Sequence, residues 1–253
     1  MIVDEPDVVI KKRGRVRKTE ERKTRVVKEK FQNEVMPPVT AMNDVQREFL
    51  SALKKYPVVV FNAPAGVGKS HLTMSEVTDW LKKGVTDRIV ISRPAIPMGR
   101  SIGLVPGTAE EKFSLYILPL LDVIWKRYGK NWYDTCVANG TIKLIPPEYA
   151  RGLSIDCTFV LDECQGFHPD ELYTMLTRLE DGGKLIMIGD PNQSDIKGQN
   201  GINWLCDFVE THPELQEYVK VIHATSDDIV RSGLCKALVK AKEKERNIAN
   251  LQS

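Results

Sequence analysis

Residues 58–70 read VVVFNAPAGVGKS, an apolar run that passes directly into a glycine-containing loop. The run at 58–62 is short, apolar and rich in β-branched residues, which predicts a buried parallel strand. The eight residues at 63–70, APAGVGKS, lead into a stretch of helical character at 69–82. A strand, a glycine-containing loop and a helix in this order are the setting that a phosphate-binding loop requires. The stretch therefore predicts an α/β fold with a phosphate site after its first strand.

The residue types in this loop suit a nucleotide phosphate. Gly66 and Gly68 permit the positive φ angles that turn backbone N–H groups toward a phosphate, and the helix adds its positive N-terminal end. Lys69 supplies a charge to the β and γ phosphates, and the Ser70 hydroxyl is a ligand for Mg²⁺. The alternative is a glycine-rich turn with a surface lysine. The residues assigned to the nucleotide are Ala63, Pro64, Ala65, Gly66, Val67, Gly68, Lys69, Ser70 and His71.

Four further apolar runs alternate with helical stretches along the rest of the chain. The predicted strands lie at 89–92, 158–162, 185–189 and 219–223. The predicted helices lie at 110–128 with a break near Pro119, at 170–179, at 201–210, and from Asp227 onward with Val230, Leu234, Leu238 and Ala241 on one face. Apolar strands that alternate with helices predict a doubly wound α/β sheet.

Two carboxylates mark the end of the run at 158–162. Asp162 is its last residue and Glu163 follows directly. Ligands of open α/β sheets bind at the carboxyl ends of the strands. We expect Asp162 to hold the water shell of a metal ion and Glu163 to orient and deprotonate an attacking water. Taken alone, the pair could also be a solvated turn.

The next predicted strand ends in GDPNQ at 189–193. Here Gln193 can reach a γ-phosphate and report its hydrolysis to the rest of the fold. A plain Gly-Asp-Pro-Asn turn is the alternative, because these residues favour turns. The sequence thus predicts polar groups at the ends of three strands.

The composition excludes several classes of protein. The chain has 253 residues and is 42% hydrophobic, which is the ordinary level for a protein that buries a core. No run of 18 apolar residues occurs and the N-terminus has no apolar signal region, so we expect a cytoplasmic protein without a membrane partner. Five cysteines with no CxxC pair make a disulfide framework or a structural zinc site improbable.

The positive charge is concentrated near the N-terminus. Between Lys11 and Lys30 there are eleven Lys or Arg and three Glu, although the whole chain carries a formal charge of only +2. We expect residues 1–36 to form a basic arm, which is either a disordered tail or an anchor for phosphate backbones. The ATPase-like domain would then occupy residues 37–253.

Several motifs in one order carry a family resemblance. They are MNDVQREFL at 42–50, the loop at 63–70, SRPAIPMGRSIGLVPGTAEEKF at 92–113, YARG at 149–152, FVLDECQ at 159–165, LTRL at 176–179, GDPNQSDI at 189–196 and SDDIVRSGL at 226–234. With them the chain resembles the PhoH-like family of P-loop ATPases, which are similar to the first motor domain of superfamily 1 helicases. The resemblance covers about 43–242. Ala63 stands where the family usually has glycine.

The resemblance implies a single RecA-like domain that binds ATP and Mg²⁺. It implies that Gln46 reads the adenine edge, and that Arg93 contacts nucleic-acid phosphates or lines the nucleotide cleft. It also implies RNA or single-stranded DNA as a partner. Of the four tryptophans, Trp132 lies in a segment that reads as irregular, so we expect it to be the one that stacks on a base.

A chain of this length has room for only one motor domain, so a second domain that could supply an arginine to the site is missing. Related motors close ATP between two such domains, and the second supplies arginines that stabilise charge on the transferred phosphate. We therefore expect a head-to-tail homo-oligomer, a hexameric ring by the resemblance, with Arg231, Arg178 or Arg151 acting across or within the interface. Each of these arginines could instead be a surface salt-bridge residue.

Three functions fit these features. The leading interpretation is an Mg²⁺-dependent ATPase coupled to the remodelling of RNA or single-stranded DNA. The second is a nucleotide-gated nucleic-acid-binding module with little motor activity. The third, a small-molecule kinase, shares the loop but is weakened by GDPNQ and by the lack of an evident acceptor lid.

Overall fold

The structure is a computed structural model that describes residues 36–94, 109–150, 152–196 and 198–251. Three parts of the sequence predictions fall outside these residues. They are the basic arm up to residue 35, the middle of the 92–113 motif, and Arg151.

Within the described residues six strands form one sheet, and every neighbouring pair is parallel. The strands are β1 Val58–Asn62, β2 Ile89–Ser92, β3 Ile142–Leu144, β4 Thr158–Leu161, β5 Lys184–Gly189 and β6 Val219–His223. Their order is β3-β2-β4-β5-β1-β6. Because all strands run in one direction, their carboxyl ends meet at one edge, here called the carboxyl edge, and their amino ends at the opposite, amino edge.

Helices cover both faces of this sheet. They are α1 Asp44–Lys55, α2 Lys69–Lys83, α3 Ala109–Tyr116, α4 Leu118–Tyr128, α5 Lys130–Ala138, α6 Pro147–Ala150, α7 Pro169–Leu176, α8 Gly201–Thr211 and α9 Gly233–Leu251. Successive strand residues point to opposite faces. Val60 of β1 accordingly packs in one core cluster with Leu172 and Leu205 of α7 and α8. Its neighbour Phe61 stacks on Phe49 of α1, with ring centroids 4.3 Å apart. The predicted α/β sheet flanked by helices is therefore confirmed.

Strand β3 and helices α1, α5 and α6 were not among the elements predicted from the sequence. Strand β3 reads IKL, which is too short for its apolar pattern to stand out. Helix α1 begins after Asn43, whose side chain accepts a hydrogen bond from the Gln46 backbone N–H at 2.9 Å. This is a regular N-cap, because a short polar side chain there satisfies a free backbone donor.

Two predicted helices have different bounds. The stretch 110–128 breaks at Ile117, and Pro119 lies in the first turn of α4, where a missing N–H is tolerated. The last helix begins at Gly233 rather than Asp227, because residues 226–228 form a separate 3₁₀ turn capped by the Thr225 side chain.

The apolar face predicted for the last helix is exposed in this chain. Leu234 and Leu238 of α9 are 71% and 60% exposed, respectively. The sequence pattern predicted that the two leucines share one face of a helix, and the structure shows that this face is open to solvent. A periodic pattern identifies an apolar face but not what covers it.

Other properties of the fold concern membranes and thiols. Among the described residues no helix is both long and apolar enough to cross a membrane. All five cysteines are free, and Cys136, Cys164 and Cys206 are buried. In the described parts of the chain no three His, Cys, Asp or Glu side chains form a group suited to a metal ion.

Candidate active site

The glycine-containing loop joins β1 to α2 at the carboxyl edge. Gly66 and Gly68 have φ angles of 89° and 98°, in the left-handed region that favours glycine. A Cβ atom on Gly66 would also lie 2.9 Å from Cys235 Sγ and 3.1 Å from Ile229 Cγ2, so packing excludes a side chain there. Gly68 precedes α2 and offers no side-chain cap. The first N–H groups of α2 are thus available to an anion.

The ammonium group of Lys69 is folded back into this loop. Its Nζ donates to the backbone oxygens of Ala63 at 2.5 Å and Pro64 at 3.0 Å. Burial lowers the pKa of Lys69, and the negative charges of Asp190, Asp162 and Glu163 oppose that shift. Lys69 is therefore a cation held where acidic groups and the loop converge.

Asp162 lies directly beyond β4 and is 3% exposed. Its backbone N–H donates to the Ser92 oxygen at 2.9 Å, which extends the pairing of β4 with β2 by one residue. Burial, followed by the charge of Glu163, raises the pKa of Asp162 to about 6, while Arg93 and Lys69 oppose this shift. Because burial disfavours the charged form of this carboxylate despite Arg93 and Lys69, a further cation bound there would stabilise it.

Glu163 has a strained backbone. Its φ of 54° is the one positive value among the described residues other than glycine. For a side chain of this type the left-handed conformation costs about 1–2 kcal/mol, and such strain concentrates at functional sites. Its carboxylate lies 3.1 Å from Arg93 Nη2 and accepts a hydrogen bond from Gln165 Nε2.

Asp190 joins the loop to the end of β5, the strand between β1 and β4. Its Oδ2 accepts from the Ala65 N–H and from Gln193 Nε2, both at 2.9 Å. Its own N–H donates to Gln165 Oε1 at 3.0 Å. The sequence analysis singled out Gln193 of GDPNQ and missed Asp190. An acidic residue directly after a buried strand, the same signal that identified Asp162, would have identified it.

These residues surround one cleft of about 480 Å³ at the carboxyl edge. Its lining comprises Thr40, Met42, Gln46, Ala65, Gly66, Gly68, Lys69, Ser70, His71, Leu72, Asp162, Glu163, Asp190, Gln193, Val230 and Arg231. Most of the residues assigned to nucleotide and metal from the sequence thus meet in one place. Ala63, Pro64 and Val67 contribute the loop backbone behind it.

Gln46 is placed beside the loop and is 2% exposed. Its Oε1 accepts from the Met42 N–H and its Nε2 donates to the Val67 oxygen, both at 2.7 Å. The side-chain amide therefore fixes the backbone on two sides of the cleft. These two bonds use one hydrogen of Nε2 and one lone pair of Oε1, so each atom keeps one further site for a hydrogen bond.

The predicted arginines are spread over different places. Arg231 is exposed and lines the cleft of its own chain, where the Val230 N–H donates to the Gly66 oxygen at 3.1 Å. Arg178 is exposed after α7, and its backbone oxygen accepts from the Ile155 N–H at 2.8 Å, near the amino edge. Arg178 therefore does not reach the site of its own chain.

Two residues predicted to contact nucleic acid have other surroundings. The segment around Trp132 is helical rather than irregular, and Trp132 in α5 is 6% exposed and packs on Tyr128. That burial leaves too little ring surface for a base, so the stacking prediction is wrong. The guanidinium of Arg93 is not free on the surface, because it pairs with Asp162 and Glu163.

Similar proteins of known family show which family the chain belongs to. The PhoH-like protein family matches residues 38–243. The chain belongs to the PhoH-like family. It is 31% identical over 201 residues to the PhoH-like protein of Bacillus subtilis (strain 168), covering 79% of this chain and 62% of that protein. It is 29% identical over 207 residues to Protein PhoH of Escherichia coli (strain K12), covering 81% and 58%.

The PhoH-like chain therefore spans about three-fifths of the length of these relatives. Among solved structures it is similar to the large terminase of bacteriophage HK97, with a TM-score of 0.52 and 12% identity over 90% of this chain and 53% of that one. This similarity concerns the fold alone.

Proposed function

We propose that this PhoH-like protein is an Mg²⁺-dependent ATPase that works on RNA or single-stranded DNA. The observation that carries the proposal is the convergence of Lys69, Asp162 and Glu163 on one cleft, although they come from distant parts of the chain. A single cation at a glycine loop and two carboxylates beyond a neighbouring strand supply the groups that phosphoryl transfer to water requires.

In this proposal the loop binds and orients the triphosphate. The N–H groups of α2 and the Lys69 ammonium hold the β and γ phosphates. Glu163 accepts the proton of the attacking water, and Gln193, whose Nε2 donates to Asp190 Oδ2, would contact the γ-phosphate. Gln46 selects adenine through the remaining capacity of its amide.

The metal donors fit Mg²⁺. The Ser70 hydroxyl and the Asp162 carboxylate are hard oxygen ligands, and both line the cleft. The buried Asp162 carboxylate, whose pKa is raised to about 6, is stabilised in its charged form by a cation. When bound, Mg²⁺ would neutralise charge on the phosphates.

The polymer partner and the oligomer rest on the sequence. Eleven basic residues between Lys11 and Lys30 supply charge for a phosphate backbone. The cleft has Arg231 from its own chain, and a head-to-tail neighbour in a ring would supply a further arginine from its amino edge, for which Arg178 is exposed. An arginine of this kind is worth about 10³–10⁵ in turnover, so a lone subunit should be a slow ATPase.

A nucleotide-gated binding module is the second candidate. It is favoured by the contacts of Glu163, whose two carboxylate oxygens both have partners in Arg93 and Gln165. A base held in this way suits slow turnover. ATP would then control assembly on nucleic acid rather than drive movement.

Steady-state ATP hydrolysis with and without RNA and single-stranded DNA tests the proposal, together with the mass in solution. An ATPase that remodels nucleic acid is accelerated by the polymer and displaces a paired strand. A gated module binds the polymer without displacing strands. No hydrolysis by the assembled protein under any of these conditions would contradict the enzymatic assignment.

A further inference from the structure

Arg93 joins the two acidic residues of the site. Its Nη2 lies 3.1 Å from Glu163 Oε1, and its Nη1 lies 3.4 Å from Asp162 Oδ2. The planar guanidinium presents donors in a fixed fork and can hold two carboxylates at once. On the other side of Glu163, Gln165 Nε2 donates to Oε2. One oxygen of the proposed base therefore accepts a hydrogen bond, and the other is held in an ion pair.

The backbone fixes this arrangement. Arg93 follows Ser92, the last residue of β2, and β2 pairs with β4 in register up to Ser92 and Leu161. The Asp162 N–H donates to the Ser92 oxygen at 2.9 Å. Arg93 and Asp162 are therefore the residues that directly follow the paired ends of the two neighbouring strands. The pairing register of β2 with β4 therefore brings Arg93 next to Asp162 and Glu163.

An engaged Glu163 is a poor partner for water. A water that gives its proton to this carboxylate must share an oxygen with Arg93 or Gln165, or displace one of them. Arg93 is also a cation beside Asp162, where the metal would bind, so that its charge opposes the cation there. Arg93 is only partly buried, with 23% of its side chain exposed to solvent.

We propose that Arg93 is a positioning residue that restrains Glu163, and that the phosphodiester backbone of RNA or single-stranded DNA releases Glu163 by competing for the Arg93 guanidinium. The inference rests on the proposed ATPase function and extends it to regulation. Phosphates and carboxylates are alternative ligands for the same guanidinium fork. Polymer binding would then accelerate ATP hydrolysis because it frees Glu163, and no additional catalytic group would be needed.

The test compares variants at the two ends of β2. Arg93→Ala removes the restraint, and Arg93→Lys keeps the charge but loses the fork. Arg88→Ala is the matched control, because Arg88 precedes β2 at the amino edge and pairs with Asp156 outside the cleft. Each is measured for ATP turnover alone, for turnover with oligo(U) or oligo(dT), and for binding of a fluorescent ATP analogue across Mg²⁺ concentrations at pH 8.

Arg93→Ala should raise turnover without polymer by about threefold to tenfold, which corresponds to the net contribution of one ordinary hydrogen bond. Stimulation by either oligonucleotide should fall toward one. The Mg²⁺ concentration for half-maximal analogue binding should decrease, because a positive charge has left the metal site. A loss of packing alone would move the turnover and the Mg²⁺ midpoint the other way. Arg88→Ala should match wild type in all three measurements.

The inference is overturned if Arg93→Ala lowers basal turnover, or if it keeps the wild-type stimulation by polymer. Should Arg93→Ala fail to fold, Arg93→Lys decides: basal turnover above wild type supports the restraint, and turnover at or below wild type rejects it. A wild-type protein that does not bind the ATP analogue would instead reject the proposed function itself. The two failures are therefore distinguishable.

Discussion

A cavity lies at each edge of the sheet, and the larger of the two is lined mainly by apolar side chains. The groove at the amino edge has a volume of about 630 Å³ against about 480 Å³ for the cleft at the carboxyl edge. The groove is lined by apolar and aromatic side chains such as Leu205, Phe208 and Tyr218. The cleft gathers a lysine and three carboxylates, one of which belongs to Glu163 with its strained backbone. Cavity volume alone would favour the amino edge as the ligand site, whereas the charged side chains favour the carboxyl edge.

The contrast is sharpest in two lysines at opposite edges. Lys69 is surrounded by three carboxylates that oppose the effect of burial on its pKa. Lys184, at the start of β5, donates to the Tyr56 oxygen at 2.5 Å, and burial lowers its pKa to about 8. No carboxylate contributes to that shift. Both ammonium groups donate to backbone oxygens, but only the pKa of Lys69 is also affected by neighbouring carboxylates.

The base assignment predicts the largest effect. Glu163→Gln should bind ATP and assemble, yet lose about 10²–10⁴-fold in turnover, because an amide cannot take the proton of the water. Glu180→Gln, on the rim of the amino-edge groove, is the control and should hydrolyse ATP normally. Single-turnover hydrolysis by the purified variants checks this. Normal turnover in Glu163→Gln would show that another group is the base.

The two lysines predict the next effect. Methionine keeps the length of the side chain without its charge. Lys69→Met should weaken ATP binding about 100-fold, equivalent to roughly 2.7 kcal/mol, because the loop loses its fixed cation. Lys184→Met should bind ATP within about twofold of wild type. Titration with a fluorescent ATP analogue distinguishes them, and equal losses in both variants would remove the difference between the edges.

Two glycines give a matched pair for the backbone. Gly66 and Gly182 have similar φ angles, 89° and 84°, but an added Cβ would meet Cys235 Sγ at Gly66 and nothing within 4 Å at Gly182. Gly182→Ala should cost about 1 kcal/mol of unfolding free energy, the strain of the left-handed conformation. Gly66→Ala should cost about 1–3 kcal/mol more, since it also overpacks. Urea unfolding measures both, and equal losses would mean that the loop is less tightly packed.

The last prediction is a pH dependence of stability at the amino edge. The pKa of Lys184 is lowered in the folded chain, so between about pH 8 and 10.5 the unfolded chain binds more protons. The unfolding free energy of the wild type should therefore rise with pH in that window relative to Lys184→Met. Denaturant titrations at pH 7.5 and 9.5 check the sign. A gap between the two proteins that does not change with pH would contradict the burial of the ammonium group.

Local patterns predicted the sheet and the loop well, because short β-branched runs and the positions of Gly66 and Gly68 leave few alternatives. Contacts between distant segments were not readable in the same way. Arg93 and Asp162 are separated by 69 residues, and Ala65 and Asp190 by 125 residues. Only the strand order brings these pairs together.

Burial was the second property that the sequence left open. Trp132 was expected to be exposed in an irregular segment, but α5 packs it against its neighbours. Leu234 and Leu238 were predicted only to share one face of the last helix, and that face is exposed. An amphipathic or aromatic pattern shows which side of an element is apolar, whereas tertiary structure decides whether that side is covered.

A crystal structure with a non-hydrolysable ATP analogue and Mg²⁺ tests the central claim most directly. We predict the β and γ phosphates against Lys69 and the first N–H groups of α2, with the metal between Ser70 and Asp162. Arg93 should then have moved away from Asp162. An analogue bound in the amino-edge groove, or a carboxyl-edge cleft that takes up none at saturating concentration, would contradict the account.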